Sequence, residues 1–96
     1  MKVLISPDYG AGWSTWNDSR MATDEDLIAL FESGCTPEEM KGLCLSKGYT
    51  DVYMGGFFDG LVVAEVPKGV HFRIREYDGA ESIEIMEAQD WIYAED

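Results

Sequence analysis

Val70-His71-Phe72-Arg73-Ile74-Arg75-Glu76-Tyr77-Asp78-Gly79-Ala80-Glu81-Ser82-Ile83-Glu84-Ile85 alternates apolar and polar residues on either side of an Asp-Gly pair. β-Branched and aromatic residues favour a pleated, half-buried strand, and Asp-Gly accepts the positive φ angles that a two-residue hairpin turn requires. With that turn, Phe72 stands opposite Ile85 and Ile74 opposite Ile83 on one face. Arg73 then stands opposite Glu84, and Arg75 opposite Ser82, on the other. One apolar face and one charged face emerge together, which supports the register, because a slip of one residue would send the apolar set into solvent. A longer turn would make that one-residue shift.

Upstream of the hairpin, Thr50 to Met54 and Leu61 to Val66 read as further strands, separated by Gly55-Gly56 and Asp59-Gly60. Pro67-Lys68-Gly69 separates the second of them from the hairpin. Lys2 to Ser6 is a short apolar strand stopped by Pro7, and Trp91-Ile92-Tyr93 is a candidate final strand. Between the first strand and the later ones lie two short helices. Thr23 is the expected cap of the first, with Asp24, Glu25 and Asp26 in the first turn, where the helix dipole favours anions. Leu27, Ile28, Leu30 and Phe31 form its buried face, and Gly34 ends it. Thr36-Pro37-Glu38-Glu39 opens the second, with a capping threonine, proline at the first helical position and Glu39 placed for a capping box. Met40, Leu43 and Cys44 face inward and Gly48 stops it. The expectation is a single α+β domain over residues 1–96: an antiparallel β-sheet with two short helices packed on one face.

Composition narrows the function classes. Seven Lys and Arg stand against nineteen Asp and Glu, a net charge of −12. Binding a phosphate backbone needs a basic stripe, so direct contact with nucleic acid is disfavoured, as is docking on anionic membranes. With 46% apolar and 12% aromatic residues the chain is too rich in core formers for a disordered acidic tail. The N-terminal apolar run is too short for a secretory leader and no stretch is long enough to span a bilayer, so a cytoplasmic protein is expected. Cys35 and Cys44 are too few for a disulfide scaffold and are expected to be reduced thiols.

Catalytic signals are weak. His71 is the one histidine, and no local context pairs it with either cysteine. Cys35, Cys44, His71 and a carboxylate could together supply four zinc ligands, but the cysteine spacing matches no common knuckle. Asp24-Glu25-Asp26 lacks the frame of a calcium loop. The expectation is therefore a protein that is not an enzyme and has no metal or cofactor. The most distinctive stretch is Tyr9-Gly10-Ala11-Gly12-Trp13-Ser14-Thr15-Trp16-Asn17. Thr15 replaces the third glycine of a dinucleotide fingerprint, and there is no Walker lysine. Two readings stand: Trp13 and Trp16 cover the end of the core, or Tyr9, Gly10, Gly12, Trp13 and Trp16 hold a small, nucleotide-type ligand.

Acidic residues cluster in two runs. Between Arg20 and Lys41 there are six acids and no base; from Glu76 onward there are eight acids and no base. Such runs are either a solvated surface or a face for a basic partner. The candidate contact residues are Asp24, Glu25, Glu38, Glu39, Glu84 and Glu87.

The segments Met1-Lys2-Val3-Leu4-Ile5-Ser6, Tyr9 to Trp16, Tyr53-Met54-Gly55-Gly56 and Arg75-Glu76-Tyr77-Asp78-Gly79 resemble a family of small acidic proteins encoded by bacteriophages and prophages of Gram-positive bacteria. That family carries no activity attached to particular residues. The resemblance implies a phage setting, in which small acidic proteins often inhibit host defence systems, anti-CRISPR proteins among them. The leading expectation is an acidic inhibitor that binds a host defence protein such as a CRISPR nuclease or another nucleic-acid-binding effector. The small-ligand binder is the alternative.

Overall fold

A computed structural model describes residues 1–8, 12–50, 52–53 and 60–86. The element order is β1 (Lys2–Ile5), short 3-10 turns at Ser14–Trp16 and Ser19–Ala22, α1 (Glu25–Ser33), α2 (Pro37–Ser46), β2 (Val62–Glu65), β3 (His71–Tyr77) and β4 (Ala80–Met86). The class is α+β, as the pattern of apolar residues predicts. The strands form two antiparallel pairs, β1–β2 and β3–β4.

The β3–β4 hairpin has the register read from the sequence. Phe72 pairs with Ile85, Arg73 with Glu84, Ile74 with Ile83 and Arg75 with Ser82. Asp78 (φ 52°) and Gly79 (φ 88°) form the turn. Both angles are positive, as in the mirror-image turns that match strand twist.

β1 pairs with β2 across more than half the chain, Leu4 facing Val63 and Val3 facing Ala64. Every β1 residue after Lys2 is buried, because this ribbon is covered on both faces. Leu4 and Val63 belong to the main core with Leu27, Ile28, Met40 and Cys44 of the helices and with Trp13, Met21, Tyr49, Val52 and Leu61. Val3, Ile5 and Ala64 turn the other way, toward Ala22, Val66, Phe72, Ile74 and Ile83. The helices do lie on one face of the β1–β2 ribbon, and the apolar face of the hairpin takes the opposite one. A run without polar alternation is the mark of a strand covered on both sides.

Three local expectations are corrected. The cap of α1 is Asp24, whose side chain accepts from the Asp26 and Leu27 amides; Thr23 lies one residue outside. The middle strand expected at Thr50 to Met54 is absent from the described residues of that stretch: Thr50, Val52 and Tyr53 are irregular, and the Tyr53 N–H bonds to Asn17 Oδ1 at 2.7 Å instead of to a strand. The single sheet is two ladders, clipped together where the Glu81 N–H donates to the Ser6 carbonyl at 2.8 Å. Asp51, Met54 and the candidate strand at Trp91 lie outside the described residues. The capping box of α2 is present as read, with both reciprocal bonds between Thr36 and Glu39.

Candidate functional site

Glu81 occupies the inner face of the hairpin, in line with Ile83 and Ile85, and is 2% exposed. Burying a carboxylate is costly unless donors replace its water. Here Oε1 accepts from the Ser6 N–H at 2.9 Å, and Oε2 accepts from the Trp13 N–H at 2.8 Å, the Thr15 N–H at 3.0 Å and the Thr15 hydroxyl at 2.6 Å. One carboxylate thus joins the end of β1, the aromatic loop and β4. Gly12 is required by the same closeness: a Cβ there would collide with Thr15 Oγ1 and Trp16 Cδ1 and lie 3.1 Å from Glu81 Oε2.

This latch decides what the loop presents. Trp13 is fully buried in the main core, its indole N–H directed at the Met21 carbonyl at 3.4 Å. Its ring is core structure, so the small-ligand reading loses one of its platforms. The amides of Trp13 and Thr15, which could have cradled a phosphate, already hold the Glu81 carboxylate. Tyr9 and Gly10 lie outside the described residues. Trp16, by contrast, is 47% exposed and its indole N–H donates to Glu76 Oε2 at 3.2 Å. Beside it stands Tyr53, 53% exposed, with ring centroids 6.5 Å apart and planes inclined by 31°. Asn17 ties the Tyr53 backbone to the loop: its Nδ2 donates to the Trp13 carbonyl at 2.7 Å and to the Tyr53 carbonyl at 3.3 Å. Glu76 is itself steadied by the Gly79 N–H at 2.7 Å.

Glu76, Glu81, Asn17 and Tyr53 were not among the candidate site residues named from the sequence, although each lies in a stretch that drew notice there. A signal for the first two existed. In the hairpin register both acids fall on the Phe72–Ile74–Ile83–Ile85 face, directly opposite one another, where carboxylates survive only with dedicated donors.

The five acidic candidates among the described residues do not converge. Lys47, just past the end of α2, pairs with Asp24 at 3.0 Å and with Asp26. The two helices therefore run antiparallel, and Glu38 and Glu39 lie a helix length, about 15 Å, from Asp24 and Glu25. Asp24 is mostly buried: its side chain is 8% exposed, caps α1 and accepts from the Tyr49 hydroxyl at 2.7 Å. Burial pushes its pKa up, but the Tyr49 hydroxyl, Lys47 and the Leu27 N–H outweigh that and leave it lowered. Burial, with Asp24 beside it, raises the Tyr49 hydroxyl. The Arg20 guanidinium lies 5.1 Å from the Tyr49 ring centroid and holds Asp18 down to about 2. Glu39 is occupied by the capping box, accepting from the Thr36 N–H at 2.9 Å. Glu84, on the outer face of the hairpin, bridges Arg73 at 2.7 Å and Arg75 at 2.8 Å, and both guanidiniums lower its pKa. Glu25 and Glu38 are exposed; Glu87 lies outside the described residues.

Cys44, on α2, is buried in the main core, and burial pushes its thiol up to about 11. Cys35 is half-buried and raised for the same reason. His71 is exposed at the start of β3. Among the described residues no group of three or more His, Cys, Asp or Glu is placed to hold a metal, and no helix is long and apolar enough to cross a membrane. No protein-family model, curated protein or solved structure matches the chain.

Proposed function

We propose that this protein is a non-enzymatic, acidic binding protein of phage origin. It acts in the cytoplasm of a bacterial host by covering the basic, nucleic-acid-binding surface of a defence effector such as a CRISPR nuclease. The observation that carries this reading is the internal use of its cations. Of the seven basic residues, Lys2, Arg20, Lys47, Arg73 and Arg75 are all engaged in ion pairs with neighbouring carboxylates. With those cations committed, a net charge of −12 gives the molecule a field that attracts basic surfaces and repels phosphates. The resemblance to small acidic phage proteins supports the same setting.

The test is displacement. A labelled DNA target bound to a purified CRISPR nuclease–guide complex is followed by fluorescence anisotropy as the chain is added. The expected result is release of DNA at near-stoichiometric chain, with the effect weakening as salt rises. Retention of DNA at every salt, across nucleases of Gram-positive hosts, overturns the reading.

A further inference from the structure

Resting on that reading, we propose that Trp16, Tyr53 and Glu76 form an anchor site for an arginine side chain of the basic partner. Exposed aromatic rings gain most at an interface when they are already held in the bound geometry. Both rings stand about half exposed, 6.5 Å apart and inclined by 31°, too open to serve as core. Polar contacts hold them in place: the Trp16 indole donates to Glu76 at 3.2 Å, and the Tyr53 backbone is tied to the Asn17 side chain at both its N–H and its carbonyl. Behind them, Glu81 locks Thr15, the residue before Trp16. This is an electron-rich surface on a tethered backbone, beside a carboxylate.

The chemistry selects the occupant. Indole and phenol faces attract cations, tryptophan most strongly. A guanidinium is planar, stacks on such faces and donates to a carboxylate from the same group, which a lysine ammonium does less well. Both bonds that Glu76 accepts from Trp16 and Gly79 fall on Oε2; among the described residues no donor meets Oε1, which can accept from a ligand. A nucleobase could stack on the same rings, but its phosphates would meet Glu76 and a chain of net charge −12.

The experiment uses the full chain, ¹⁵N-labelled, with the indole N–H signals of its tryptophans followed by NMR. It is titrated with an arginine-rich peptide, a lysine peptide of equal charge and a single-stranded oligonucleotide. The arginine peptide is expected to move the Trp16 indole signal and leave Trp13 in place. Trp16→Ala should weaken its binding at least about tenfold and Tyr53→Leu several-fold; Glu76→Gln should also weaken it, and Trp16→Phe should retain part of the affinity. An unmoved Trp13 signal in each variant shows that the core is intact. The proposal is overturned by an arginine peptide that leaves Trp16 unmoved, by equal affinity for the lysine peptide, by unchanged affinity in Trp16→Ala, or by tighter binding of the oligonucleotide. DNA displacement that survives Trp16→Ala but fails in a Glu25→Lys/Glu38→Lys double variant would remove the anchor and leave the function. An arginine site on a chain that displaces no DNA would do the reverse.

Discussion

Glu81 is a carboxylate on an apolar strand face, and its removal exposes the logic of the loop it holds. Alanine at this position would leave the Ser6, Trp13 and Thr15 amides and the Thr15 hydroxyl without their acceptor. The Ser6 and Trp13 amides are the buried ones; each buried donor left unsatisfied costs about 1–3 kcal/mol, so Glu81→Ala should destabilise by about 2 kcal/mol or more. Glu81→Gln should fall between, since its amide offers one acceptor oxygen and sets an N–H₂ against donors. Urea unfolding reads both, and a loss below about 1 kcal/mol for Glu81→Ala would show that the latch does not hold the loop. The cysteines provide a second test, because the thiolate is the reactive form and access is required. Cys35, half-buried, should react with a thiol reagent in the native protein; Cys44, with its thiol pushed up to about 11, should react only on unfolding. A Cys35→Ser variant that still labels rapidly would contradict that order. At this scale the sequence conceals what depends on distant partners. Thr23 and Asp24 are both good caps by type, and the choice is made by Tyr49 and Lys47, which lie beyond α2. Trp13 and Trp16 are likewise three residues apart and indistinguishable by type, yet one is core and the other surface.

Elements were legible where their determinants are local. The β3–β4 register follows from a turn dipeptide and a period of two, and the start of α2 from four consecutive residues. The β1–β2 pairing was not legible, since its partners are far apart and neither strand alternates. α2 separates two neighbouring acids that look alike in sequence. Glu39→Lys removes half of the capping box and reverses a charge beside the helix N-terminus, so it should cost about 1 kcal/mol. Glu38→Lys touches only the dipole and should cost less, about 0.5 kcal/mol; thermal unfolding of the two variants should separate them in that order. The cap of α1 adds a pH dependence. The Asp24 pKa is lowered on folding, so it contributes stability that is present above its unfolded value, about 3.9. That contribution is lost as pH falls through the lower folded value. Asp24→Asn keeps a competent cap but cannot titrate. Its stability should therefore be lower than that of the parent near neutrality and should fall less steeply below about pH 4. Parallel acid limbs for the two proteins would show that Asp24 does not carry this dependence.

Charge acts on the whole molecule at once. With seven bases against nineteen acids, most carboxylates have no cation to meet, and folding brings them closer together than they are in the extended chain. Self-repulsion of this kind destabilises the compact state and is screened by salt. The ion pairs that salt also screens are mainly between exposed side chains, such as Arg20–Asp18 and Lys2–Glu32, and pairs of this sort contribute about 0–1 kcal/mol each. Repulsion should therefore dominate the balance. Raising sodium chloride from about 0.01 M to about 0.3 M, which shortens the screening length several-fold, should raise the urea midpoint. Binding to a basic partner depends on the same field with the opposite sign, so its affinity should fall over the same range. The two measurements together separate their causes: a complex that dissociates while the free chain becomes more stable has lost attraction, not structure. A midpoint that falls with salt would instead mean that the ion pairs outweigh the repulsion, and loss of binding would then have to be tested against unfolding before charge could be held responsible.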